Sequence, residues 1–193
     1  MKSQTLKSIT IYEFQNLTDE ELVNKIVQTK NILVFEILYD RYELIIYNKY
    51  FDFVNDDRQA SKLTQDFFLT LFSELGNYRG PYKFSAWLYY NAYQLCINHF
   101  NIKSKKVEII DLAKDNYLHI QMNDTTLFKM NWQILKKAIV AIPIEDRALL
   151  LLHYQDDISI KELELLMQVS NEVTIKKLKI AKAHIVESYN KLL

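Results

Sequence analysis

Glycine, proline and cysteine are scarce in this 193-residue chain, which has two glycines, two prolines and one cysteine. Two glycines cannot furnish the turns of a β-sandwich or barrel, nor the phosphate loop of a doubly wound sheet. Helix joined to helix is the architecture that needs fewest. The lone thiol, Cys96, excludes an internal disulfide and suits a reducing compartment. Long apolar runs are missing too. The longest aliphatic stretch, Ala148 to Leu152, falls far short of a bilayer span, and the opening MKSQTLKSITIYEF has no signal-peptide core. What is present, 49% hydrophobic residues, suffices for buried cores in one domain or two small ones. The expectation is a soluble, cytoplasmic, all-α protein that does not insert into membranes.

Net charge is absent as well, with 24 Lys+Arg against 24 Asp+Glu. A phosphate-binding surface is usually basic, but the average hides an uneven layout. Residues 17–106 carry eleven charges of each sign, 107–124 have Lys114 against Glu108, Asp111, Asp115 and Asp124, and 170–193 have five lysines against Glu172 and Glu187. This reads as two helical domains, 17–106 and 125–193, joined by an acidic linker over 107–124, with a basic helix at the C-terminal end.

In the first part, Thr18-Asp19-Glu20-Glu21 is a capping box, followed by Leu22, Val23, Ile26 and Val27 on one stripe. Further helices are predicted over 32–53, with Phe35, Leu38, Tyr42, Ile45, Ile46 and Tyr50 inward, and over 59–75, with Leu63, Phe67, Leu71 and Phe72 inward and Gly76 as C-cap. The loop 77–82 holds half of all the glycine and proline, and a fourth helix follows over 84–100. Four amphipathic helices with short connections describe a bundle.

The loop and fourth helix crowd Tyr78, Tyr82, Phe84, Trp87, Tyr89, Tyr90 and Tyr93 alongside Arg79, Lys83, Asn91, Gln94 and Asn98. A helix in a small bundle cannot bury every face, so several of these rings should be exposed. Exposed rings, amides and cations suit unstacked bases, which stack on the first, are read by the second and are held at phosphate by the third. Tyrosines that merely decorate a helix would give the same pattern.

In the second part, helices are predicted over 126–141, carrying Trp132, Leu135, Ile139 and Val140, and over 145–154. Ser159-Ile160-Lys161-Glu162 is a second capping box, opening a short helix to Met167, and Ser170 caps a long final one after a three-residue break. That is a helix-turn-helix pattern, whose second helix would present Ser170, Asn171, Thr174 and Ile175 with Lys176, Lys177, Lys179 and Lys182 to duplex DNA. An ordinary helical hairpin has the same outline, and lysines near a helix C-terminus also suit the helix dipole. Nothing points to an enzyme or a cofactor. Cys96 and His99 stand at i, i+3, but zinc wants three or four ligands and no other histidine has the spacing.

The order of these pieces resembles an extracytoplasmic-function (ECF) sigma factor of the sigma-70 family. LTDEELVNKIVQTKNILVFEILYDRY (17–42), LTQDFFLTLF (63–72), YRGPYKFSAWLYYNAYQLCINHF (78–100) and LLLLHYQDDISIKELELLMQVS (149–170) carry the resemblance. It implies a region 2-like four-helix bundle and a region 4-like helix-turn-helix. It further implies core RNA polymerase docking through Leu63, Gln65 and Asp66. Capture of unwound −10 bases falls to Tyr78, Arg79, Lys83, Trp87, Tyr90, Asn91, Gln94 and Asn98, and −35 duplex reading to Ser170, Asn171, Thr174, Lys176, Lys177 and Lys179. The implied partners are core polymerase, promoter DNA and an anti-sigma protein, the free chain being a monomer. Departures are visible: Gln59, Ser61 and Lys62 replace acidic residues, Tyr90, Asn91 and Tyr93 replace arginines, Asn98 replaces Asp, and Gln168 stands where the turn usually has Gly. Two alternatives stay open, a sigma-like interaction protein that does not initiate and a stand-alone helix-turn-helix regulator.

Overall fold

The computed structural model describes residues 13–103 and 130–193, and all regular structure among these residues is helical. The chain divides into two compact units between Cys96 and Ile97, inside the fourth helix rather than after residue 106. The acidic linker over 107–124 lies outside the described residues.

The N-terminal unit is built from α1 (Asp19–Thr29), α2 (Ile32–Val54), α3 (Asp57–Glu74) and the first part of α4 (Phe84–Lys103). The predicted capping box opens α1: Thr18 Oγ1 accepts from the Glu21 amide at 3.2 Å, and Glu21 Oε2 accepts from the Thr18 amide at 2.8 Å. Asn31 caps α2, accepting from the Leu33 amide at 2.9 Å. Asp56 caps α3, accepting from the Gln59 amide at 2.7 Å, so this helix starts two residues before the predicted 59.

Leu22, Val23 and Ile26 of α1, Leu38, Ile46 and Tyr50 of α2, Leu63, Phe67 and Leu71 of α3, and Phe84, Leu88 and Cys96 of α4 form the core. Its rings meet edge to face, as between Phe35 and Phe72 at 5.1 Å and between Tyr50 and Phe67 at 6.2 Å. The buried Tyr50 hydroxyl donates to the Ala92 carbonyl at 3.1 Å, tying α2 to α4. Lys49 is also buried, with Nζ 4.1 Å from the Tyr89 ring centroid, where a cation–π contact offsets desolvation. Ile45 is 40% exposed, not inward as expected, because the buried stripe of α2 runs through 42, 46, 49, 50 and 53.

Helix ends supply the less expected result. Gly76 is not a left-handed cap; α3 closes through a 3-10 turn, Leu75–Asn77, and neither glycine has positive φ. The left-handed positions are Lys30, Asn55, Asp157 and Gln168, with φ of 52°, 51°, 53° and 56°.

In the C-terminal unit, α5 (Trp132–Ala141) is capped by Asn131, α6 spans Ile144–Leu150, α7 Ile160–Met167 and α8 Asn171–Asn190. The helix predicted over 145–154 is split, because Leu151–Gln155 winds as a π-turn. The predicted start of α5 at 126 lies outside the described residues. Ala138, Leu150, Leu152, Leu163, Leu178, Ala181 and Ile185 fill the core, whereas Trp132 and Val140 are 61% and 57% exposed. The second capping box forms as predicted, Ser159 Oγ accepting from the Glu162 amide at 3.2 Å and Glu162 Oε2 from the Ser159 amide at 3.0 Å. His184 of α8 pairs with Asp146 of α6 through Nδ1 and Oδ2, both side chains being largely buried. Burial pushes the Asp146 carboxyl above its ordinary range, and the His184 contact offsets part of that rise.

Candidate functional site

The docking candidates divide along α3. Leu63 is 1% exposed, because positions 63, 67 and 71 form the inward stripe, and its side chain is not available to a partner. Gln65 is exposed and Asp66 half-buried on the opposite side. One turn beyond Gln65 stands Leu69, 77% exposed. Spacing puts Lys62, Gln65, Asp66 and Leu69 on one outward face. Sequence reasoning missed Leu69, although an apolar residue four positions after Gln65 on a polar face was a readable signal.

The loop between α3 and α4 is an aromatic cluster. Tyr78 donates its hydroxyl to the Tyr82 carbonyl at 2.7 Å, and its amide reaches back to the Leu75 carbonyl at 3.2 Å. Its ring centroid lies 6.0 Å from that of Tyr82, 5.5 Å from Phe84 and 5.8 Å from Trp87. Burial raises the Tyr78 hydroxyl pKa, so this group stays a neutral donor at neutral pH. The Tyr82 ring lies directly against Gly80, where a Cβ would come within 2.1 Å of it. Arg79 and Lys83 are exposed at the rim.

Along α4, positions 83, 87, 90, 94 and 98 recur on one stripe. Lys83 and Asn98 are exposed, and Tyr90, Asn91 and Gln94 are half-buried. Asn91 Nδ2 donates to the Trp87 carbonyl at 2.7 Å, leaving its amide oxygen for a ligand. Trp87 is 6% exposed despite its place on the stripe, because the Tyr78 ring packs against it. Trp87 is therefore a bundle residue, not a base contact. Tyr93, at 1%, belongs to the core as well.

Sequence reasoning also missed Glu20. Its Oε1 accepts from the Phe84 amide at 3.0 Å, across 64 residues, at the first turn of α4. Beside it, Asp19 accepts from Arg41 Nη1 at 2.7 Å and from the Tyr42 hydroxyl at 2.5 Å.

In the helix-turn-helix, Gln168 takes the left-handed conformation at the position where the resemblance expects Gly, and Ser170 caps α8 by accepting from the Val173 amide at 3.4 Å. Thr174 is a correction. It is 0% exposed, and its hydroxyl donates back to the Ser170 carbonyl at 3.1 Å, so it holds the first turn and reads no base. Asn171 and Lys179 are exposed, Lys176 and Lys177 half-buried. Lys182 Nζ sits 5.2 Å from the Tyr154 ring centroid, against the π-turn.

Among the described residues no group of three or more His, Cys, Asp or Glu side chains could hold a metal ion, and no described helix is long and apolar enough to cross a membrane.

Residues 38–105, which include the outward face of α3, the aromatic loop and α4, match the Sigma-70 region 2 family. That match spans about a third of the chain. The chain is 29% identical over 98 residues to the RNA polymerase sigma-H factor of Pseudomonas aeruginosa, a match covering 51% of this chain and 50% of that one. The chain thus spans about half the length of that relative. Its fold is similar to that in the co-crystal structure of the sigma factor RpoE in complex with the anti-sigma factor NepR from Bartonella quintana. The TM-score is 0.55 at 11% identity, over 81% of this chain and 96% of that chain. The all-helical fold is therefore similar to that of a sigma factor.

Proposed function

We propose that this chain is an ECF-class transcription initiation factor that binds core RNA polymerase and directs it to promoters. The region 2 match over 38–105 carries the reading, because those residues contain both surfaces the function needs. On α3, Gln65, Asp66 and Leu69 form the polymerase-docking face, with Leu69 supplying the apolar contact first assigned to Leu63. On the loop and α4, Tyr78, Arg79, Lys83, Tyr90, Asn91, Gln94 and Asn98 form the surface for unwound −10 bases. In the C-terminal unit Ser170, Asn171, Lys176, Lys177 and Lys179 address the −35 duplex, the amide at a base edge and the lysines at phosphates. The protein acts as a non-catalytic subunit. The anti-sigma complex of its structural neighbour supports an anti-sigma protein as a further partner.

Co-elution of the purified protein with bacterial core RNA polymerase on a sizing column tests the docking claim. Stable co-elution is expected, lost on Asp66→Lys or Leu69→Arg. Run-off transcription then tests initiation. A folded protein that fails to co-elute refutes the docking assignment. One that co-elutes without initiating favours the second reading, an interaction protein that occupies polymerase or an anti-sigma factor. The burial of Trp87 and Thr174, which thins both DNA surfaces, is the observation on that side.

A further inference from the structure

Helix α4 follows Lys83, whose side chain has no hydrogen-bond acceptor with which to cap it. The Lys83 carbonyl accepts from the Ala86 and Trp87 amides, at 3.1 and 3.3 Å, and the Phe84 amide before them needs another acceptor. Glu20 supplies one from α1, accepting from the Phe84 amide at 3.0 Å. Its helix also packs against Leu75–Asn77, the 3-10 turn at the other end of the loop. Residues 78–83 are thus held at both ends by α1, and Phe84 in turn contacts the ring of Tyr78. The brace is itself fixed: Asp19 binds Arg41 and Tyr42, and the Tyr42 ring lies 6.0 Å from Phe84 and 6.2 Å from Tyr89. Arg41 Nη2 adds bonds to the carbonyls of Gln15 and Leu17, at 2.7 and 2.8 Å, which anchor the chain entering α1.

We propose that Glu20 is a positioning residue for single-strand capture, holding the loop 78–83 in register with α4 from a helix that itself offers no base contact. This rests on the reading of the loop as the single-strand surface. An acceptor at position 20 is what the brace requires, so Glu20→Gln preserves it and Glu20→Ala removes it. Fluorescence anisotropy with a single-stranded −10 oligonucleotide should show Glu20→Ala binding about fivefold more weakly, the factor equivalent to one helix cap. Glu20→Gln should bind within about twofold of the native chain. Co-elution with core polymerase, which uses α3, should be the same for all three.

Unchanged strand affinity in a folded Glu20→Ala would overturn the proposal. Joint loss of strand and polymerase binding would overturn it too, because Glu20 would then hold the whole bundle and not the loop. If the native chain itself binds no single strand, the base-capture reading fails, and amide hydrogen exchange judges the brace. Faster exchange in Glu20→Ala confined to residues 78–87 upholds the tether, and an unchanged pattern there removes it.

Discussion

Replacing Lys30 or Gln168 by glycine should stabilise the protein. Both residues sit at helix C-termini in the left-handed region, at φ of 52° and 56°, and both are exposed. Their backbone amides close the helices, Lys30 onto the Ile26 carbonyl at 2.8 Å and Gln168 onto that of Glu164, and glycine keeps those bonds. An L-residue in this region meets its own carbonyl through Cβ, at roughly 1–2 kcal/mol. Glycine removes that contact but gives the unfolded chain extra freedom, which returns about 0.5–1 kcal/mol. At the middle of both ranges the net gain is about 0.8 kcal/mol per site, or roughly 2–3 °C for a chain of this length. Asn55 and Asp157 should gain less, because Asn and Asp tolerate the left-handed region better.

The two sites lie in different units, and each unit carries one tryptophan, Trp87 and Trp132. Urea unfolding followed by fluorescence in Trp87→Phe and Trp132→Phe backgrounds therefore assigns each gain to its unit. Lys30→Gly should raise the midpoint reported by Trp87, and Gln168→Gly that reported by Trp132. A neutral or lowered midpoint at either site, with the helix ends unchanged, would refute the claim that a Cβ at that cap costs stability.

Trp87→Ala should cost about 3–5 kcal/mol, as deletion of a buried ring does, whereas Tyr90→Ala should cost about 1 kcal/mol and weaken promoter opening; urea midpoints and 2-aminopurine fluorescence in the −10 element measure the two. Gly80→Ala should push the Tyr82 ring aside, since a Cβ would lie 2.1 Å from it. Because that ring is half-exposed, NMR shifts should change over residues 78–84 with little change in midpoint. The Thr18 hydrogen bonds lower the Glu21 pKa below its ordinary 4.5. The stabilisation they give is present above that value and is lost as pH falls through the lowered one. Amide protection factors in α1, corrected for the intrinsic exchange rate at each pH, should accordingly fall on acidification in the native chain, and Glu21→Gln should flatten that dependence.

Features encoded within four or five residues were legible in the sequence. Both capping boxes form, and Gln168 takes the left-handed conformation implied by the resemblance, in which Gly is usual at that turn. Helix stripes were legible to within a residue, and errors of that size decide exposure. Ile45, expected inward, stands one position beside the buried Ile46 and is exposed, whereas Leu63 lies inward as the stripe of α3 predicts. What could not be read is what distant segments do to one another. Trp87 shares a stripe with Lys83 and Tyr90, yet a loop folded over it removes it from the surface. Glu20 looked like first-turn charge on α1, and only the folded bundle brings it to the Phe84 amide. Thr174 has the polarity of a base-reading residue, but its hydroxyl has a nearer acceptor in the preceding turn.

Cys96 is 0% exposed in the core of the bundle and is the only cysteine in the chain. The native protein therefore comes with a built-in clock. A thiol reagent can reach that sulfur only when α4 lifts from its neighbours, so the alkylation rate counts openings of the helix proposed to hold unwound promoter bases. The same burial leaves the surface clear of thiols, and a cysteine placed at Gln65 or Asn98 would take a fluorophore at one position. Spectroscopic reporters of docking and of strand capture can thus be installed separately, with the native sulfur left in place to register any loosening the label itself causes.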